Sequence, residues 1–155
     1  MKTTIKQSPN SSTPLKPQGI VLHHTAGSYA GSVSWCMNPS AKVSYHCIVN
    51  TDGNRTQLVA DNRRAWHAGV SSFKGRSNCN TFLLGIAVSG DTTSRVLNDL
   101  EVDSVAQWCV EKMRLHGFGI DMITTHREIA PRRKNDVDVR AETAIKNRIA
   151  QLLQK

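Results

Sequence analysis

Apolar and polar positions alternate so as to divide the 155-residue chain into short apolar runs and two longer periodic stretches. Gly19-Ile20-Val21-Leu22-His23, bounded by glycine and by the polar His24-Thr25 step, reads as a short buried strand. Residues 43–50 (VSYHCIVN) predict a second strand, Asp52-Gly53 a hairpin turn, and residues 56–59 the return strand. Residues 82–88 (FLLGIAV) are almost continuously apolar, as in a central strand covered on both faces. Residues 122–125 predict a further short strand that runs directly into His126.

Helical spacing replaces alternation elsewhere. A short helix is expected over residues 32–37, closed by Asn38-Pro39 because the residue before proline is pushed out of the helical region. Asn98 stands as an N-cap with Glu101 three residues on, the capping-box spacing. Val102, Val105, Ala106, Cys109 and Met113 then recur at helical intervals, and Gly117 supplies the stop. The last helix, Val139–Leu153, sets Ala141, Ala144, Ile145, Ile149 and Leu152 on one stripe. Strands mixed with helices and one hairpin predict an α/β fold, a single domain with a mixed central β-sheet flanked by α-helices. Residues 1–17 are polar and predict an extended N-terminal arm, leaving residues 18–155 as the folded domain. Residues 61–81 have few apolar positions and predict a long loop, a kind of segment that usually carries function inside a compact domain.

Composition narrows the setting. A chain of 17.1 kDa has room for one core. It has no run of ~18 apolar residues that could span a membrane, and the amino terminus, although Lys2 is basic, lacks the apolar segment of a secretory signal, so a start in the cytosol is expected. Cys36, Cys47, Cys79 and Cys109 show no CxxC spacing, which argues against a zinc ribbon and, in a reducing compartment, for free thiols. An excess of 20 Lys+Arg over 12 Asp+Glu, net +8, predicts attraction to polyanions: nucleic acid, membrane surface or cell-wall polymer. Solubility alone is the plainer account of that charge.

His23, His46 and His126 fall on or directly after predicted strands, where a rigid sheet can make side chains converge. A hydrolytic zinc site needs three protein ligands and an open position, with imidazole and carboxylate as the usual donors when cysteine is absent. His126 and Asp136 are such donors, Pro131 forces an irregular turn between them, and Lys134 lies two residues from Asp136, so that both can face one cavity. The alternative is that His126 is a loop histidine and Asp136 pairs with Arg132 or Arg133.

Five motifs in order add to this: His23-His24, SYHCIVNTDG (44–53), RAWHAGVSSFKGRSNCN (64–80), LGIAVSGDT (84–92) and THREIAPRRKND (125–136). Together they resemble the zinc-dependent N-acetylmuramoyl-L-alanine amidases, a family that includes phage amidase-type lysozymes, bacterial muropeptide-recycling amidases and peptidoglycan recognition proteins. The resemblance implies one Zn²⁺ held by His23, His126 and Asp136. It implies that Tyr45 orients the attacking water and that Lys134 steadies the developing oxyanion. His67, His24, Trp66 and Asn80 are implied to line the substrate cleft. The implied substrate is peptidoglycan, approached by a monomer whose charge favours anionic wall or outer-membrane polymers rather than nucleic acid.

Two positions depart from the pattern. Ala87 stands where recycling amidases carry a glutamate general base, and Val137 stands where a proline usually follows the third ligand. The missing glutamate and the retained Tyr45 favour a phage-type endolysin, held in the host cytoplasm until the membrane is opened. A recycling amidase acting on soluble anhydro-muropeptides, and a binding protein that recognises peptidoglycan or regulates a polymerase, are the competing readings.

Overall fold

The structure, a computed structural model, describes all 155 residues. In chain order the strands are β1 (Thr3–Ile5), β2 (Ser11–Ser12), β3 (Ile20–His24), β4 (Cys47–Val49), β5 (Arg55–Gln57), β6 (Arg64–Ala65), β7 (Ser72–Phe73), β8 (Arg76–Ser77), β9 (Leu84–Val88) and β10 (Ile123–Thr125). The helices are α1 (Tyr29–Met37), α2 (Asp99–His116), α3 (His126–Ile129) and α4 (Val139–Leu153). Six strands form one sheet in the order β1-β5-β4-β9-β3-β10, parallel except where β4 and β5 close the hairpin. Gly53 takes φ +85° in that hairpin, a conformation that favours glycine. The mixed α/β sandwich expected from the sequence is therefore present.

Alternation along the strands sends Ile20, Leu22, Leu84, Ile86, Cys47 and Val49 to one face, where they meet α2 and α4 in a core of 20 buried residues. Helix α2 begins as the sequence predicts: the Asn98 side chain accepts from Glu101 N, the Glu101 carboxylate accepts from Asn98 N, and Gly117 caps the other end at φ +78°. The opposite face holds two smaller clusters, one around Val21, Phe73 and Phe82, the other around Ile48, Leu58 and Val33. Val21 and His23 share that second face, and His24 points to the first.

Four expectations change in detail. The segment 1–17 is extended but not a free arm: β1 is the sheet's edge strand, paired in parallel with β5, and Leu15 is buried in the main core. Helix α1 starts three residues early because the Ser28 side chain accepts from Gly31 N as its N-cap, a signal independent of apolar spacing. The strand expected over 43–50 is ordered as a strand only from Cys47, since Ser44 turns to the N-terminal segment and its Oγ accepts from Trp66 N. Residues 61–81 are not an open loop; β6 pairs with β2, β7 with β8, and Ala65, Ala68 and Cys79 are fully buried against the sheet. All four cysteines are buried free thiols, and burial pushes Cys47 up to about 12.

Candidate metal centre and cleft

Strand β3 delivers His23 at its carboxyl end, β10 hands directly over to His126 at the start of α3, and the segment after Pro131 returns Asp136 to the same point. His23 Nδ1 lies 3.0 Å from His126 Nδ1; Asp136 Oδ2 lies 3.4 Å from the first of these nitrogens and Oδ1 3.4 Å from the second. A tetrahedral zinc with ligand bonds of about 2.0–2.1 Å places its donors roughly 3.4 Å apart. The three side chains are therefore gathered around one point, with one donor atom from each within 4.8 Å of the others, close enough to share one such ion.

The protonation states match that use. Burial lowers His23 to about 4, so it is neutral near pH 7. Burial alone would raise the Asp136 carboxyl, but the imidazoles of His126 and His23 set against it outweigh that effect and hold the group well below the ordinary carboxylate range. The backbone N–H of His24 donates to Asp136 Oδ2 at 3.2 Å and orients it. Val137, which follows Asp136 directly, is fully buried, and the peptide bond before it is cis.

The centre opens into a cleft of about 560 Å³ lined by Tyr45, His24, Val43 and residues 131–136. Tyr45 lies edge-on to His23, ring centroids 5.1 Å apart, and burial followed by the Asp136 charge raises its phenol, which stays protonated at neutral pH. Arg132 and Lys134 are exposed on the cleft wall. Arg133 is pinned instead, donating to the carbonyls of Ala68 and Val70. The alternative pairing of Asp136 with Arg132 or Arg133 is not formed; its partners are the two histidines.

The remaining predicted cleft residues divide. His24 lines the cleft, with its ring held by Thr92 N (3.1 Å) and Thr92 Oγ1 (2.8 Å) and its Nε2 3.8 Å from Asp91. His67 reaches the cleft wall only with its edge: it is buried, Nδ1 meets His23 Nε2 at 2.9 Å, and Nε2 donates to Leu83 O at 3.0 Å. Trp66 turns the other way, its indole N–H donating to Ser12 Oγ. The Asn80 amide oxygen is taken up by the backbone N–H groups of His67 and Ala68. The expectation that Trp66 and Asn80 touch substrate thus meets side chains spent on the protein's own backbone and N-terminal segment. Thr92, which also accepts from Asp138 N and so ties the Asp136 segment to β9, escaped the sequence reading; a lone hydroxyl after a strand has no distinguishing pattern.

Two imidazoles and a carboxylate at the carboxyl end of a mixed α/β sheet, with one side open to a cleft, make the type of centre that divalent-metal hydrolases use. The chain belongs to the N-acetylmuramoyl-L-alanine amidase family, whose profile matches residues 13–138. It is 38% identical over 95 residues to the 1,6-anhydro-N-acetylmuramyl-L-alanine amidase AmpD of Salmonella typhimurium, covering 61% of this chain and 50% of that protein. It is 42% identical over 72 residues to N-acetylmuramoyl-L-alanine amidase A of Achromobacter lyticus, covering 46% of this chain and 36% of the other. The chain thus spans about half the length of the curated relatives it matches. Among solved structures, an AmpD selenomethionine derivative superposes with a TM-score of 0.83 at 25% identity, covering 96% of this chain and 94% of that one. The catalytic domain of XlyA shares the fold at 0.75 and 18% identity, covering 96% and 99%.

Proposed function

We propose that the protein hydrolyses the amide bond between N-acetylmuramic acid and L-alanine in peptidoglycan, with one Zn²⁺ held by His23, His126 and Asp136. The observation that carries this reading is the convergence of those three side chains, one donor atom from each within 4.8 Å of the others, at the foot of a cleft walled by Tyr45 and Lys134. Zinc in such a site polarises a carbonyl and lowers the pKa of water toward neutrality. Hydrolysis adds water oxygen to the lactyl carbonyl carbon, breaks the C–N bond and returns a proton to the alanine nitrogen. Lys134 places a cation where negative charge grows on the carbonyl oxygen, an interaction gained in the transition state. Tyr45, a neutral phenol, accepts a hydrogen bond from the attacking water and offers its own proton toward the departing amine. Purified protein given intact sacculi should expose new L-alanine amino termini, lose that activity to a chelator and regain it with zinc; full activity in metal-free protein contradicts the reading.

Within that chemistry the role is that of a phage-type lysin degrading the cell wall, held in the host cytoplasm until the membrane opens. Support comes from Tyr45 on the cleft and from Ala87, buried in β9, where a glutamate base would be needed by the recycling type. Exposed Arg132 and Lys134 suit approach to an anionic envelope. A second reading, cleavage of soluble anhydro-muropeptides, is favoured by the identity to AmpD. Turbidity loss of permeabilised Gram-negative cells, set against cleavage of small anhydro-muropeptides, separates them: activity on the small substrate alone selects recycling.

A further inference from the structure

We propose that the dipeptide His67-Ala68, clamped by Asn80 and seated over Gly85, sets the tautomer of both metal-binding imidazoles and thereby the zinc affinity of the centre. This rests on the zinc reading above and concerns residues that do not themselves reach the metal.

Hydrogen-bond direction runs one way along each link. A carbonyl can only accept, so the 3.0 Å contact between His67 Nε2 and Leu83 O places the His67 proton on Nε2. With the ring's proton committed to that carbonyl, Nδ1 is left as the acceptor and faces His23 Nε2 at 2.9 Å. His23 therefore carries its proton on Nε2 and turns the lone pair of Nδ1 toward His126 and Asp136. The neighbouring residue does the same for the second ligand: Ala68 O accepts from His126 Nε2 at 3.0 Å, which leaves His126 Nδ1 free to coordinate. One side chain and the next residue's carbonyl thus prepare both imidazoles, the outer contacts that orient metal-binding histidines.

Two further residues hold the dipeptide in place. Asn80 Oδ1 accepts from His67 N at 3.1 Å and from Ala68 N at 2.9 Å, fixing both peptide units at once. Behind the imidazole, Gly85 of β9 leaves the space the ring occupies; a Cβ there would lie 2.5 Å from His67 Cγ and 2.6 Å from its Nδ1. Arg133 donates to the same Ala68 carbonyl at 2.8 Å, so the clamp also anchors the segment that carries Lys134. His67 and Asn80 are positioning residues.

The test measures zinc affinity of the full chain by chelator competition, with the unfolding of the metal-free form followed in parallel. His67→Phe and Asn80→Leu should each weaken zinc binding by about 10–100-fold, the usual cost of losing an outer contact of a ligand. Asn80→Asp, which still accepts from both N–H groups, should stay within about threefold of wild type, a recovery that a merely space-filling role would not distinguish. Long-range ¹⁵N–¹H spectra of zinc-loaded wild type, which need no variant, should show His23 and His126 both protonated at Nε2. Protonation at Nδ1 in either, or wild-type affinity in both folded His67→Phe and Asn80→Leu, overturns the clamp and leaves the zinc reading standing. A wild-type protein that takes up no stoichiometric zinc overturns both.

Discussion

The two faces of the sheet are built by different rules. On the α2/α4 face the contacts are apolar and periodic: Val105, Cys109 and Met113 of α2 and Ala141, Ile145 and Ile149 of α4 meet Ile20, Leu22, Leu84 and Ile86. On the other face the same strands carry His23 and Gly85, with His46 just ahead of β4, and the cover is an irregular segment whose buried polar atoms bond to one another and to main-chain carbonyls. The first face draws stability from area removed from water, a non-directional quantity that tolerates exchange among side chains of similar volume. The second depends on direction, because a buried nitrogen left without its partner carries the full desolvation cost. Substitutions on the helical face should therefore shift stability and spare chemistry, whereas those of the metal donors and cleft groups on the site face should abolish chemistry.

The largest effect is expected at Asp136→Ala, which removes the one anionic donor; metal content should fall below stoichiometry, measured by atomic emission, and hydrolysis of sacculi should be lost. Retention of bound zinc at wild-type level would break the assignment of the site face. Next come Lys134→Ala and Tyr45→Phe, which should keep zinc at one per chain and turn over at least ~10²-fold more slowly, the scale of one oxyanion or proton-transfer group. Rates equal to wild type in both would remove them from the chemistry.

On the helical face, Ile149→Ala should lower unfolding free energy by about 2–5 kcal/mol through transfer loss and cavity formation. Its rate per folded molecule should stay near wild type, and a rate collapse with intact folding would mean that the faces are not separable. A smaller and graded effect belongs to pH. His23 and His46 are held by burial at about 4, and His67 well below its ordinary value, whereas in the unfolded chain all three titrate near 6.5. Between those values the unfolded chain binds protons that the native state does not, so metal-free stability should fall as pH drops from 6.5 toward 4. Each histidine contributes about 1.4 kcal/mol per pH unit at most over that window. Denaturant midpoints at pH 7 and pH 5 read this directly, and an unchanged midpoint would show that these rings are not buried neutral.

What could be read in advance follows the same division. The capping box at Asn98 and Glu101, the stop at Gly117 and the span of α4 are local signals, and each lies where the residue pattern placed it. Strand ends singled out His23, His46 and His126 alike, and it was the resemblance of the ordered motifs that implied the trio of His23, His126 and Asp136. His67 and Asn80 sat in a motif that invited a substrate role, yet their bonding atoms turn inward to His23, Leu83 and the peptide N–H groups of residues 67 and 68. Trp66 likewise faces the N-terminal segment, whose place in the sheet no local pattern announced.

The sequence by itself determined the α/β class, the helical face and the residue types able to hold a metal, because periodicity and capping act over a few residues along the chain. Only the tertiary structure decided which nitrogen of each imidazole faces the centre, that Gly85 makes room for His67, and that residues 1–17 complete the sheet. Those outcomes depend on hydrogen bonds and close approaches between residues far apart in the chain, and their direction exists only once the strands are paired.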